Sequence, residues 1–156
     1  MDEILLVGAG GHARACIDVI EQENKFKIAG LIDKNTDKSE EILGYPIIGT
    51  DEDLKELSIK YQFALVTVGQ IKNPNTRINL YNTIKSIGYT PPVVISNNAH
   101  VSKHARIDEG TIILHGVVVN AGARIGKNCI INSQSLIEHD AIISDHCHIA
   151  TGAIIN

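Results

Sequence analysis

Residues 101–155 read VSKHARIDEGTIILHGVVVNAGARIGKNCIINSQSLIEHDAIISDHCHIATGAII, and an apolar residue returns at every sixth position. The series is Val101, Ile107, Ile113, Val119, Ile125, Ile131, Ile137, Ile143, Ile149 and Ile155. Two residues before each stands a mostly small side chain: Ala99, Ala105, Thr111, Val117, Ala123, Cys129, Ser135, Ala141, Cys147, Ala153. A helix has period 3.6 and an ordinary strand period 2, so neither produces a strict six. A six-residue repeat marks a β-solenoid, whose short strands and corners each turn one large and one small residue inward.

The preceding ninety residues follow another rhythm. Glu3–Val7 reads as a short apolar strand, then glycines, then a helix through about Gln22. Lys27–Ile32 and Phe63–Val68 read as further strands, Asp51–Lys60 and Asn75–Ile87 as helices, the last ended by Gly88. Alternating strand and helix predict an α/β domain with a three-stranded parallel sheet, half of a Rossmann-like unit. Pro91 and Pro92 make a stiff connection, so the expected domains are 1–90 and 91–156. The repeat stops in mid-hexapeptide at Asn156, which reads as a β-helix of about three coils truncated at its C-terminal end.

Composition narrows the classes of function. A net charge of −4 argues against a nucleic-acid partner. No stretch is apolar enough for a membrane span, and acidic Met1-Asp-Glu running into a strand is no signal peptide. The reading is cytoplasmic. Cys129 and Cys147 stand eighteen residues apart and stack if three hexapeptides make a coil; two small core residues explain them better than a disulfide.

Gly8-Ala-Gly10-Gly11-His12-Ala13 joins the first strand to the first helix, and Asp33 ends the second strand. Glycines there let a phosphate approach a helix N-terminus, and the acid suits a ribose. The expected ligand is part of a nucleotide; intact NAD needs a second mononucleotide half, which three strands do not supply.

The residue before each large inward position points outward, in three columns. Val118, Leu136 and Ile154 follow His100; Ile112 and Ile130 precede His148; Arg106 and Arg124 precede Ile142. Apolar outer columns predict self-association, with a trimer as the natural closed ring. His139 stands in a polar run beside Asp140, where the preceding coil has only Ala121. A histidine paired with a carboxylate serves as a general base near neutral pH, and a solvated surface histidine is the other reading. The two reach each other only if this stretch is a corner. Metal is the competing use of the histidines, but no two stand eighteen apart, so none is expected.

Gly8-Ala-Gly-Gly-His12, Leu31-Ile-Asp33, Val68-Gly69-Gln70, and Asn132 through His139-Asp140 to His148-Ile-Ala-Thr-Gly-Ala153 resemble the bacterial hexapeptide-repeat sugar acetyltransferases. These have a left-handed parallel β-helix and include UDP-4-amino-sugar N-acetyltransferases of bacillosamine-type pathways and sialic acid O-acetyltransferases. The resemblance implies a homotrimer with active sites between β-helices, acetyl-CoA as co-substrate, and a nucleotide sugar or sialic acid as acceptor. It assigns the base to His139 and its paired acid to Asp140. Asn132 and His148 fall at the acetyl-CoA site. Gly8, Gly10, Gly11, His12, Asp33, Lys34, Gly69 and Gln70 fall at the sugar-nucleotide site. N-acetylation, O-acetylation, and an inactive fragment that binds a sugar nucleotide and oligomerises all stay open. Ser144 and Thr151 depart from the usual Gly and Pro, at turns.

Overall fold

In the computed structural model, which describes residues 1–34 and 40–156, Asp2–Val7 forms β1. Gly11–Glu23 forms α1, Phe26–Ile32 β2, Glu41–Ile42 β3, Tyr45–Gly49 β4, Leu54–Leu57 α2, Phe63–Val66 β5 and Asn75–Ile87 α3. The chain divides into two units, Met1–Pro92 and Val93–Asn156.

In the first unit β1 lies between β2 and β5, parallel to both. Its unbroken apolar run suits a strand covered on both faces, and Ile4, Leu5, Leu6 and Val7 are all buried. Helix α1 buries Ala13, Cys16, Ile17 and Ile20, the i, i+3, i+4, i+7 stripe of an amphipathic helix. Helix α3 ends as its sequence predicts. Gly88 adopts φ 112°, its N–H donates to Lys85 O, and Tyr89 N–H donates to Ile84 O, a Schellman closure.

The sheet has five strands, in the order β3-β4-β2-β1-β5, where three were expected. Strand β4 adds to β2 in parallel, and β3 pairs antiparallel with β4. Two features hide this hairpin in the sequence. Pro46 weakens the strand signal of Tyr45–Gly49, and the two-residue turn carries Leu43 at φ 50° before Gly44 at φ 86°. Asn or Asp would advertise such a turn; leucine does not. The helix expected over 51–60 is shorter as well, a 3₁₀ turn at Asp51–Asp53 followed by one turn of α2.

In the second unit Val94–Ile95 forms β6. Ten more two-residue strands follow at six-residue intervals, from β7 (His100–Val101) to β16 (Ile154–Ile155). They build three parallel sheets, ordered β16-β13-β10-β7, β14-β11-β8 and β15-β12-β9-β6. Paired residues differ by eighteen, as in Val118↔Leu136, Arg124↔Ile142 and Ile130↔His148. Three hexapeptides therefore close one coil, giving a left-handed β-helix of about three coils. Its core is the two inward series: Ile113, Val119, Ile125, Ile131, Ile137 and Ile143 with Val117, Ala123, Cys129 and Ala141. Buried Thr111 meets its polar needs within the wall, donating to Gly126 O at 2.7 Å and accepting from Cys129 N–H at 2.9 Å. Cys129 and Cys147 are free thiols, and burial pushes that of Cys129 up to about 11.

From Gly110 onward each corner turns on one residue of positive φ, and these too recur every six positions: Gly110, Gly116, Gly122, Asn128, Gln134, Asp140, His146, Gly152. The outward columns stack as their spacing requires. Ile112 and Ile130 are buried and add nothing to an exposed stripe, whereas Ile142 and Ile154 are 73% and 64% exposed. Arg106 donates from Nε to Asp108 Oδ1 at 2.9 Å, an exposed ion pair of the kind that contributes little.

Candidate functional site

The α/β unit carries a cavity of about 190 Å³, lined by Gly8, Asp33, Lys34, Asp51, Val68 and Thr76 among others. These residues follow the carboxyl ends of β1, β2, β4 and β5, the edge at which open parallel sheets take ligands. Gly8 is shaped for the turn. It adopts φ +125°, its N–H donates to Ile32 O at 2.8 Å, and its carbonyl accepts from Thr67 Oγ1 at 2.6 Å. Gly10 and Gly11 open the N-terminal end of α1, and a Cβ on either would meet nothing within 4 Å. Bare backbone N–H groups at the start of a thirteen-residue helix suit an anionic group.

Of the residues predicted for this site, the cavity brings together Gly8, Asp33 and Lys34. Gly10, Gly11, His12, Gly69 and Gln70 do not line it. Gly69 nevertheless lies beside His12, since a Cβ on it would stand 3.5 Å from His12 Cβ. His12 Nε2 is 3.3 Å from Cys16 Sγ, and burial raises that thiol to about 12, so it is neutral and inert. Asp51 and Thr76 escaped the sequence reading. Asp51 became visible as a site residue only once β4 was seen to end just before it.

The loop is held from below by Arg77. It is buried on α3 and donates from Nη1 to Val66 O at 3.1 Å and Val68 O at 2.7 Å. An arginine on the apolar face of a helix looks like an error in the pattern. Here it ties down the carbonyls where β5 runs out.

The β-helix carries two further constellations. After β13 (Leu136–Ile137) the chain turns a corner at His139 and Asp140, and Asp140 adopts φ 61°. The left-handed residue folds the carboxylate back, and His139 Nδ1 lies 3.0 Å from Asp140 Oδ2. The condition for pairing these neighbours is thus met. Nδ1–H donates to the carboxylate, which leaves Nε2 as the acceptor. The Asp140 hydrogen bond and charge, aided by Glu138, raise the His139 pKa. Both side chains are more than three-quarters exposed, so a substrate can reach Nε2.

After β12 (Ile130–Ile131) the preceding corner begins at Asn132, whose Nδ2 lies 3.2 Å from His148 Nε2. The structure therefore joins Asn132 to His148, which lies on strand β15 of the next coil, and His139 to Asp140 at the corner that follows Asn132. Contacts missed in the sequence lie nearby. Ser96 Oγ is 2.6 Å from His115 Nδ1, and Asn120 Nδ2 donates to Glu138 Oε2 at 3.2 Å. The second pair is eighteen apart, so column stacking could have found it. Among the described residues no group of three or more His, Cys, Asp or Glu is placed to hold a metal ion.

A sequence model described as the PglD N-terminal domain matches residues 3–84. The chain belongs to this family. Similar solved structures extend the likeness beyond the PglD N-terminal domain to the whole chain. The acetyltransferase domain of PglB from Neisseria gonorrhoeae FA1090, in complex with acetyl coenzyme A, is 28% identical with TM-score 0.89; the match covers 97% of this chain and 72% of that one. A variant of perosamine N-acetyltransferase from Caulobacter crescentus, in complex with CoA and GDP-perosamine, is 26% identical with TM-score 0.86, covering 99% and 74%. WeeI from Acinetobacter baumannii AYE shares the fold at 22% identity and TM-score 0.84, covering 99% and 72%. A search of curated proteins gave no match. No helix among the described residues is long and apolar enough to cross a membrane.

Proposed function

We propose that this protein transfers an acetyl group from acetyl-CoA to the amine of a nucleotide-linked amino sugar. The observation that carries this reading is the exposed His139–Asp140 pair at 3.0 Å, on a fold shared with acetyltransferases that bind CoA and a nucleotide sugar. The acceptor nitrogen attacks the thioester carbonyl carbon, and the new C–N bond forms as His139 Nε2 takes the ammonium proton. Asp140 holds the ring and stabilises the imidazolium. Collapse of the tetrahedral adduct breaks the C–S bond, and the imidazolium returns its proton to the CoA sulfur. No acyl-enzyme is required, so Cys147 has no role.

In this reading the cavity at Gly8, Asp33 and Lys34 takes part of the nucleotide sugar; Gly10, Gly11, His12, Gly69 and Gln70 flank it, and Asn132 and His148 contact acetyl-CoA. The protein works in the cytoplasm, without a metal, as a homotrimer in which exposed Ile142 and Ile154 are covered.

The test is release of CoA thiol from acetyl-CoA across UDP- and GDP-linked 4-amino sugars and free sialic acid. Release that depends on an amino sugar supports the proposal. Release with sialic acid alone, or none with any acceptor, overturns it. A pH profile adds a second check. The base must be neutral to act, so kcat/KM falls as pH drops through the raised His139 pKa. Asp140→Asn removes the largest cause of that rise. The acid limb is expected to move to lower pH, with the plateau reduced about tenfold or more.

A further inference from the structure

The positive-φ positions of the β-helix corners accept side chains. Asn128, Gln134, Asp140 and His146 occupy them at φ 54–62°. Backbone conformation therefore does not by itself demand glycine at position 122, where φ is +79°. What stands above it does. Gly122 lies eighteen residues before Asp140, and their corners touch through Asp140 N–H donating to Ala121 O at 3.1 Å. A Cβ on Gly122 would overlap Asp140 Oδ1 and stand 3.1 Å from its Cγ. At Gly152, in the same conformation at φ +70°, a Cβ would meet nothing within 4 Å.

We propose that Gly122 is a positioning residue for the general base, its bare Cα forming the floor that keeps the Asp140 carboxylate on His139 Nδ1. The catalytic consequence rests on the function proposed above; the positioning does not. Because Asp140 is exposed and its carboxylate is the mobile end of a side chain, that group gives way to an added methyl while the coil stays intact. The carboxylate then leaves Nδ1. The charged groups that face His139 are Asp140 and Glu138, and Glu138 is engaged by Asn120 at 3.2 Å. Across the coil step, the positions stacked on His139 and Asp140 are Ala121 and Gly122, which carry no charge.

The experiment is an NMR titration of the His139 ring in the full chain without substrate. Gly122→Ala and Gly122→Asn are compared with wild type, Asp140→Asn and Gly152→Ala. Asparagine tolerates positive φ, so the second variant at 122 separates occupied space from backbone strain. The expected result is a lowered His139 midpoint in both Gly122 variants, matching Asp140→Asn, with Gly152→Ala at the wild-type value. If acetyl transfer is present, its acid limb moves with the midpoint. A wild-type midpoint in the folded Gly122 variants overturns the assignment, as does an unmoved midpoint in Asp140→Asn. A lowered midpoint in a protein that transfers no acetyl group keeps Gly122 as the support of Asp140 and removes only the reaction.

Discussion

His139→Ala lowers acetyl transfer by about 10²–10⁴-fold, the loss expected when a general base is removed. The size of the effect follows from the chemistry of the acceptor. Only the neutral amine has a lone pair with which to attack, and the adduct it forms carries an ammonium nitrogen that must shed a proton before the C–S bond can break. With Nδ1 engaged by Asp140 at 3.0 Å, Nε2 is the ring nitrogen left to accept a proton. Because the side chain is exposed and contributes nothing to the core, the variant keeps wild-type thermal stability. Its KM for acetyl-CoA is also expected to change little, since the contacts proposed for acetyl-CoA are made by Asn132, at another corner, and His148, on β15. Steady-state thiol release checks the rate and the KM, and a thermal melt checks the stability. A near-wild-type kcat removes His139 from the mechanism.

Gly8→Ala destabilises the α/β unit by roughly 2–4 kcal/mol, through backbone strain joined to overpacking. At φ +125° an L side chain is strained wherever it points, and here it has nowhere to go. The new Cβ would lie 2.5 Å from Val68 Cγ2, 2.8 Å from Val68 N and 3.0 Å from Thr67 C. Two of these are backbone atoms of the adjoining chain, which is tied to Gly8 by the Thr67 hydroxyl and to α3 by Arg77. Relief requires moving β5 from β1. In a unit of this size the loss lowers the melting midpoint by about 10 °C or more. Gly10→Ala is the control, because its Cβ meets open space and φ is an ordinary −85°; the cost there stays within about 1 kcal/mol. Equal losses at both glycines would show that the turn responds to any side chain and that the contact with Val68 is not the cause.

The two halves differed in how far their residues could be read. The six-residue beat specifies the β-helix strand by strand, because every inward position repeats the same requirement and an error at one coil is corrected by the next. In the α/β unit the central strand and long helices were equally plain, since each buries a continuous apolar run or stripe. The β3–β4 hairpin was not. Its turn uses Leu43 in a conformation that leucine rarely adopts, and Pro46 argues against a strand when neighbours are unknown. Missing it also hid Asp51, although Asp33 and Lys34 in the same cavity were found.

At the β-helix corners, period and phase alone placed His139 beside Asp140 and both outside the core. That much is local and periodic, and local periodicity is written in the chain. Whether adjacent side chains on a corner meet depends on the φ of Asp140, and what lies beneath that carboxylate depends on a residue one coil away. Such contacts join positions sixteen to nineteen apart, as in Asn132 with His148, Asn120 with Glu138 and Ser96 with His115. They arise only when coils stack, so folding rather than residue order brings each pair within hydrogen-bond reach.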